Sequence, residues 1–349
     1  FAQLTKGTDV ELRAQAAKWA GESAKETQPL LGKLLTDSSS RVGAYAASAI
    51  GKLKMTDQLD AVIAMLAEND SKDVYLRQAG VVALSGMDID KVAAKAVTHP
   101  SAAVRVAAAV AFRRTSSTHA EKLLADTDPS VVSEAARAIY DSPSIPASFP
   151  ALAKLIETNP AAPIPAIRRS IAANRRLADA DSAARLVTFA SSNAPEANRS
   201  AALQALATWT SKPELDLVDG RYEPFNIGDP SAKSAFEKIA GSLEHDPSDA
   251  IAIAAADTAA AFGIAADPKD LAKEAADSNA KPAARVRSLK LLRGAAPKEF
   301  HKIATTFLKN NDPLLRSTAA GLLVNDSPDL VVGYSASTLN PDFPNSKHR

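Results

Sequence analysis

The chain contains no cysteine, which excludes disulfides, Cys-ligated zinc, iron–sulfur clusters and thioether-linked haem within these residues. No cofactor is therefore expected in this segment. Glycine is sparse, at 14 of 349 residues, and aromatics make up only 5%; a large all-β fold wants more β-branched, aromatic and turn-glycine positions. An excess of one charge is also missing. Lys and Arg number 41 against 40 Asp and Glu, a net +1, so no global field gathers nucleic acid, and no nucleic-acid partner is expected. No run reaches the roughly 18 consecutive apolar residues of a membrane span. The most apolar stretch, 250–266, is interrupted by Asp257 and Thr258, so no membrane insertion by this segment is expected. The chain opens on Phe1, with no leader pattern, which suggests a processed or excised piece of a longer protein.

Alanine is what the chain has in abundance, about a fifth of all residues. Alanine is the best helix former, and its small side chain lets helices approach closely. It also recurs in a pattern: an apolar residue, Arg, two spacers, a small pair, one spacer, and two more small or apolar residues. Leu12-Arg13 with Ala16-Ala17, Leu76-Arg77 with Gly80-Val81, and Val104-Arg105 with Ala108-Ala109 are examples. Later copies carry Arg168, Arg199, Arg285 and Arg316; Gly43 and Val132 vacate the Arg slot, and a blurred copy lies near Ile251. Asp-Pro precedes copies at Asp128, Asp246 and Asp312, where Asp caps a helix N-terminus and Pro fits its first turn. A period near 30 residues with helical patterning means stacked helix pairs. The expected fold is all-α: an α-solenoid of about ten HEAT-like helix pairs over residues 1–332. Residues 333–349, rich in Pro and Asn, read as an irregular extension or linker. Repetition of the Arg at one slot marks it as a structural bond between repeats rather than an anion ladder.

The period breaks between Ala166 and Asp229. Arg168, Arg169, Arg175 and Arg176 fall within nine residues; at helical spacing 168, 175 and 176 share a face and 169 lies beside it. Like charges so close need compensation, for which Asp179, Asp181 and Glu196 are the nearby carboxylates. Then 211–230 reads as an ordered, non-helical loop insertion, with Pro213, Pro224, Gly220 and acidic residues alternating with aromatics. Candidate partner- or anion-binding residues are Arg168, Arg169, Arg175, Arg176, Trp209, Asp219, Arg221 and Tyr222. Asp216 and Asp219 beside Arg221 read as a loop lock rather than a catalytic carboxylate pair, and Trp19 and Trp209 as core plugs.

Catalytic and metal signatures are absent. The five histidines, His99, His119, His245, His301 and His348, show no metal-ligand spacing, and neither phosphate-cradle nor nucleophile-elbow motifs occur. No catalytic residue and no metal ligand is assigned.

The run Arg168-Arg169…Asn174-Arg175-Arg176-Leu177, then Arg185-Leu186, Pro195-Glu196, Arg199, Trp209, Pro213, Asp216, Gly220-Arg221-Tyr222 and Pro224, resembles one family. It is the HEAT-repeat region of planctomycete-type haem-binding CxxCH proteins, described as membrane-bound dehydrogenases. The resemblance runs from about residue 10 to 330 and is most specific over 209–224. It implies a non-catalytic scaffold within a larger exported, periplasmic haem-containing protein, positioning a catalytic β-propeller module and a cytochrome c module. Haem c is implied only for the full-length family: this chain has neither a propeller nor Cys-x-x-Cys-His. The alternative is a stand-alone HEAT protein with lyase-like or nucleic-acid-processing activity on its concave face.

Overall fold

A computed structural model describes residues 3–22, 29–264 and 267–338, with side chains described to residue 334. Among the described residues the structure is helical, with one isolated antiparallel bridge between Leu215 and Tyr222 and no strand. First helices, such as Leu59–Asn69 and Pro297–Phe307, alternate with second helices. The second helices are Val10–Ala20, Ser40–Lys52, Val74–Gly86, Ala102–Arg114, Pro129–Tyr140, Ile164–Leu177, Glu196–Ala207, Asp249–Ala261, Pro282–Ala295 and Pro313–Leu323. The patterned copies in the sequence are these helices, including the blurred one at Ile251.

Their starts follow from side-chain capping. The carboxylates of Asp9, Asp73 and Asp312 each accept two backbone N–H groups of the first turn, and Asp128 accepts that of Ser130. These bonds satisfy donors that a helix otherwise leaves open. Pro129, Pro282 and Pro313 occupy the first helical position. The alanine pairs Ala46-Ala47, Ala107-Ala108 and Ala135-Ala136 are fully buried. Glycine allows the closest approach: a Cβ on Gly86 would lie 2.0 Å from the Gly51 carbonyl oxygen, and one on Gly51 would lie 2.5 Å from that of Val82. The helices Ser40–Lys52 and Val74–Gly86 therefore touch backbone to backbone at this end.

The Arg of the repeat sits four residues after the capping residue. Arg13, Arg105 and Arg316 each donate to the two carbonyls just before their own helix: Gly7 and Thr8, His99 and Pro100, Asn310 and Asn311. Arg13, Arg105 and Arg199 also hold a carboxylate, Asp37, Asp126 and Asp246 respectively. Each carboxylate lies two residues before the cap of the next second helix and accepts a backbone N–H of that turn. Arg13 and Arg105 thus each close one interhelical turn and pin the next. In the helix Ile164–Leu177, Arg169 rather than Arg168 makes such a bond, and it reaches back to Asp141 at 2.7 and 2.8 Å.

Two compact units divide the chain, residues 1–173 and 174–349, the boundary falling inside the helix Ile164–Leu177. The irregular insertion lies between the helices Glu196–Ala207 and Ser231–Glu244. Two expectations are corrected. Residues 333–338 complete the helix Pro328–Thr338, since the Pro and Asn residues that marked the tail as irregular, Asn340, Pro341, Pro344 and Asn345, all follow it; 339–349 lie outside the described residues. Trp19 is not a core plug but 57% exposed, since Ala14, Ala16, Ala17 and Ala20 supply the buried face of its helix.

Candidate functional site

Arg175 is fully buried and anchors the insertion in the second unit. Its guanidinium donates to the Thr208 hydroxyl at 3.0 Å and to the carbonyls of Thr208, Ser211 and Asn226 at 2.9, 3.0 and 2.8 Å. The Trp209 and Phe225 rings lie 5.5 and 5.0 Å from it, near enough for cation–π attraction. Burial, and then the neighbouring charge of Arg176, push its pKa down to about 10. A buried cation with no carboxylate is tolerated only when its donors are satisfied; here three backbone carbonyls and a hydroxyl do this, and in doing so they fix the loop.

Arg176 holds the other arm. It pairs with the buried Asp216 at 2.7 Å and with the Glu223 carboxylate at 3.4 Å, donates to the Glu223 carbonyl at 2.8 Å, and lies 3.8 Å over the Phe225 ring. Asp216 in turn accepts the backbone N–H of Val218 and Asp219, and Gly220, at φ +69°, takes the left-handed conformation that closes the turn. The arms are joined by Asp216 N–H to the Arg221 carbonyl, Glu223 N–H to that of Glu214, and Phe225 N–H to that of Pro213. At the base, the buried Trp209 donates its indole N–H to the Asp229 carbonyl at 2.9 Å. Gly228 lies against that ring: a Cβ there would sit 2.1 Å from Nε1. Arg185 and Asn174, joined at 2.9 Å, add a buried polar contact beneath.

The loop so held exposes apolar side chains: Tyr222 at 72%, Leu215 and Ile227 each at 58%, and Leu217. Charged groups rim them. Arg221 pairs with Asp219 at 2.5 Å and with Glu223 at 3.5 Å.

The predicted residues do not form one site. Arg175, Arg176, Trp209, Asp219, Arg221 and Tyr222 all belong to the loop and its anchor. Arg168 is exposed, and Arg169, in the first unit, is turned to Asp141. Compensation of the Arg cluster comes from Asp141, Asp216, Glu223 and backbone carbonyls, not from the expected set. Asp179 caps the helix Ala180–Ala190, and Glu196 accepts the Ser248 hydroxyl. The expected Asp216–Asp219–Arg221 lock is split, Asp216 serving Arg176 and Asp219 serving Arg221. Sequence reading missed Leu215, Leu217 and Ile227; their signal was apolar residues spaced through an otherwise acidic and Pro/Gly-rich stretch.

His119 bonds Asp90, His301 bonds Ser327, and His99 accepts the Ser101 N–H. Among the described residues no three His, Cys, Asp or Glu converge as a metal would require, and no helix is long and apolar enough to cross a membrane.

The fold is that of a HEAT-repeat helical solenoid. Residues 1–85 match the family profile described as HEAT repeats. No curated protein matches the chain. Among solved structures, karyopherin Kap121p bound to the extreme C-terminus of the protein phosphatase Cdc14p is 12% identical, with a TM-score of 0.50, over 97% of this chain and 47% of that one. Kap121p bound to Pho4p is 13% identical, with a TM-score of 0.46, over 97% and 46%. The complex of CpcE and CpcF of phycocyanin lyase from Nostoc sp. PCC7120 is 22% identical, with a TM-score of 0.28, over 59% and 85%. The first likeness shows the fold alone, and the other two carry no argument. The chain spans just under half the length of the karyopherin chains it matches.

Proposed function

We propose that this chain is a non-catalytic protein-interaction scaffold whose principal contact is the 208–230 loop. One observation carries the reading: two arginines, one of them fully buried, fix an irregular loop that holds Leu215, Leu217, Tyr222 and Ile227 out in solvent. Exposed apolar patches on an ordered element mark interaction sites, and a preordered loop loses little entropy on binding. Substituting Leu215→Asp together with Ile227→Asp tests it: partner binding is lost while the helical circular dichroism and melting midpoint stay unchanged. Equal binding by the double variant contradicts it.

We further propose, from the sequence resemblance, that the parent protein is exported and haem-containing, with this segment positioning a propeller and a cytochrome c module in the periplasm. The residues here do not fit a covalently attached haem, there being no thiol to hold one, so any haem belongs to a partner module. Intact mass and a visible spectrum of the protein isolated from its source test this. A mass far above 36.4 kDa with a Soret band supports it; a mass near that value without a chromophore contradicts it.

A further inference from the structure

The first three second helices of the first unit stack through one repeated contact. The residue ten after the N-cap of one helix meets the residue twelve after the N-cap of the helix before it. A Cβ on Gly21 would lie 2.8 Å from the Cβ of Ala49, and one on Gly51 would lie 2.8 Å from the Cα of Ala83. Ala49 and Ala83 are buried by this contact. In the helix Val10–Ala20, capped by Asp9, the tenth position is Trp19, whose ring stands in solvent. Leu12 shares that face at an i, i+7 spacing and is 49% exposed, whereas its counterparts Val42, Val104 and Val131, each three after a cap, are fully buried. The first helix therefore presents the stacking position of the repeat with nothing among the described residues laid over it.

The second unit carries the other half of the contact. In the helix Pro313–Leu323, capped by Asp312, the twelfth position is Val324, 47% exposed. Gly21 and Gly51, at the same position, are buried under the next helix. Leu330 and Val332, in the helix that follows, are exposed as well. Residue size separates these two faces from the joints inside the chain. Those joints set Gly against Ala and bring backbones together; Trp19 and Val324 are too large for that approach, and tryptophan is a residue that contacts between separate molecules favour. Lys18 beside Trp19 and Asp329 beside Leu330, both exposed and with no ion pair among the described residues, place opposite charges at the two rims.

We infer that the chain binds a second copy of itself head to tail, Leu12 and Trp19 of one copy packing on Val324 and Leu330 of the other in the register that sets Ala49 on Gly21. The internal joints name the occupant: the tenth position of a second helix is covered by the twelfth position of another, and this chain holds one of each uncovered. The two patches differ, so the contact is heterologous, and each pairing leaves one head and one tail free for a further copy. Every added copy presents one more 208–230 loop, which raises avidity toward a partner with repeated sites. The inference goes beyond the scaffold reading and uses surfaces separate from that loop.

Sedimentation of the full 349-residue chain over a concentration series tests it. The weight-average mass is expected to climb from 36.4 kDa and to pass twice that value. Trp19→Lys and Val324→Asp, each alone, stay monomeric. Mixed, they form a 1:1 dimer and nothing larger, because the first keeps its tail patch and the second its head patch. Leu215→Asp/Ile227→Asp associates like the wild type, so failure of the loop reading leaves this result untouched. Both Trp19 and Val324 are exposed, and unchanged melting midpoints confirm that their variants are folded. A wild-type chain that is monomeric at every concentration, an assembly that survives either single substitution, or a mixture that stays monomeric overturns the inference.

Discussion

Arg105 and Asp126, 21 residues apart, meet through two hydrogen bonds of 2.6 and 3.0 Å, and Arg105 uses its remaining terminal nitrogen on the carbonyls of His99 and Pro100. One side chain thereby fixes the turn before its own helix and the turn before the next. Both groups are almost wholly removed from solvent, so deleting either leaves a buried charge without its partner. Arg105→Ala is expected to destabilise the first unit by about 3–5 kcal/mol, and Asp126→Asn by less. Urea unfolding followed by circular dichroism reads this as a lower midpoint.

The loop's base depends on the absence of one side chain. Gly228→Ala drives a methyl group into the Trp209 indole and is expected to cost about 1–3 kcal/mol. In a Trp19→Phe background, Trp209 emission shifts to longer wavelength as the ring is displaced toward water.

Arg175→Lys removes the planar fork that reaches Thr208, Ser211 and Asn226 together. Hydrogen exchange should then accelerate across 209–228 while the helix Ala180–Ala190 keeps its protection. Uniform loss of protection throughout the second unit would show that the arginine supports the whole unit and not the loop.

The acid response divides by residue. The Arg13 hydrogen bond holds the Asp37 carboxyl below its ordinary value of 3.8, so its contribution is complete above pH 3.8 and is lost as pH falls through the folded value. Burial raises the Glu134 carboxyl above 4.5, against the pull of Arg137; its contribution is complete below pH 4.5 and is lost as pH rises through the folded value. Asp37→Asn should therefore narrow the stability difference between pH 6 and pH 3, and Glu134→Gln should gain stability relative to wild type near neutral pH. Urea midpoints across that range check both.

The helix pairs were legible because they rest on local chemistry: caps such as Asp128-Pro129, alanine pairs on one stripe, and an Arg at a fixed offset. The loop was legible as an interruption, from Pro213, Gly220 and Pro224, but its wiring was not. Arg175 and Arg176 bond groups 33 to 51 residues away, and nothing in local spacing distinguishes Asp216 from Asp179 as the compensating carboxylate. Arg169 shows the same limit. It adjoins the Arg slot in sequence yet turns back to Asp141, 28 residues earlier. Trp19 failed as a core residue for a related reason: Ala14, Ala16, Ala17 and Ala20 make up the buried face of its helix, and the ring lies outside that face.

The central claim is that the 208–230 loop is a preordered contact surface, and site-specific photo-crosslinking tests it most directly. A benzophenone amino acid replaces Tyr222, or the exposed Lys302 as control, in the protein as it exists in its source cells. Position 222 is predicted to link to a single defined protein segment, and position 302 is not; Leu215→Asp with Ile227→Asp abolishes the product. Equal, diffuse labelling from both positions, or a product that survives the double substitution, contradicts the account.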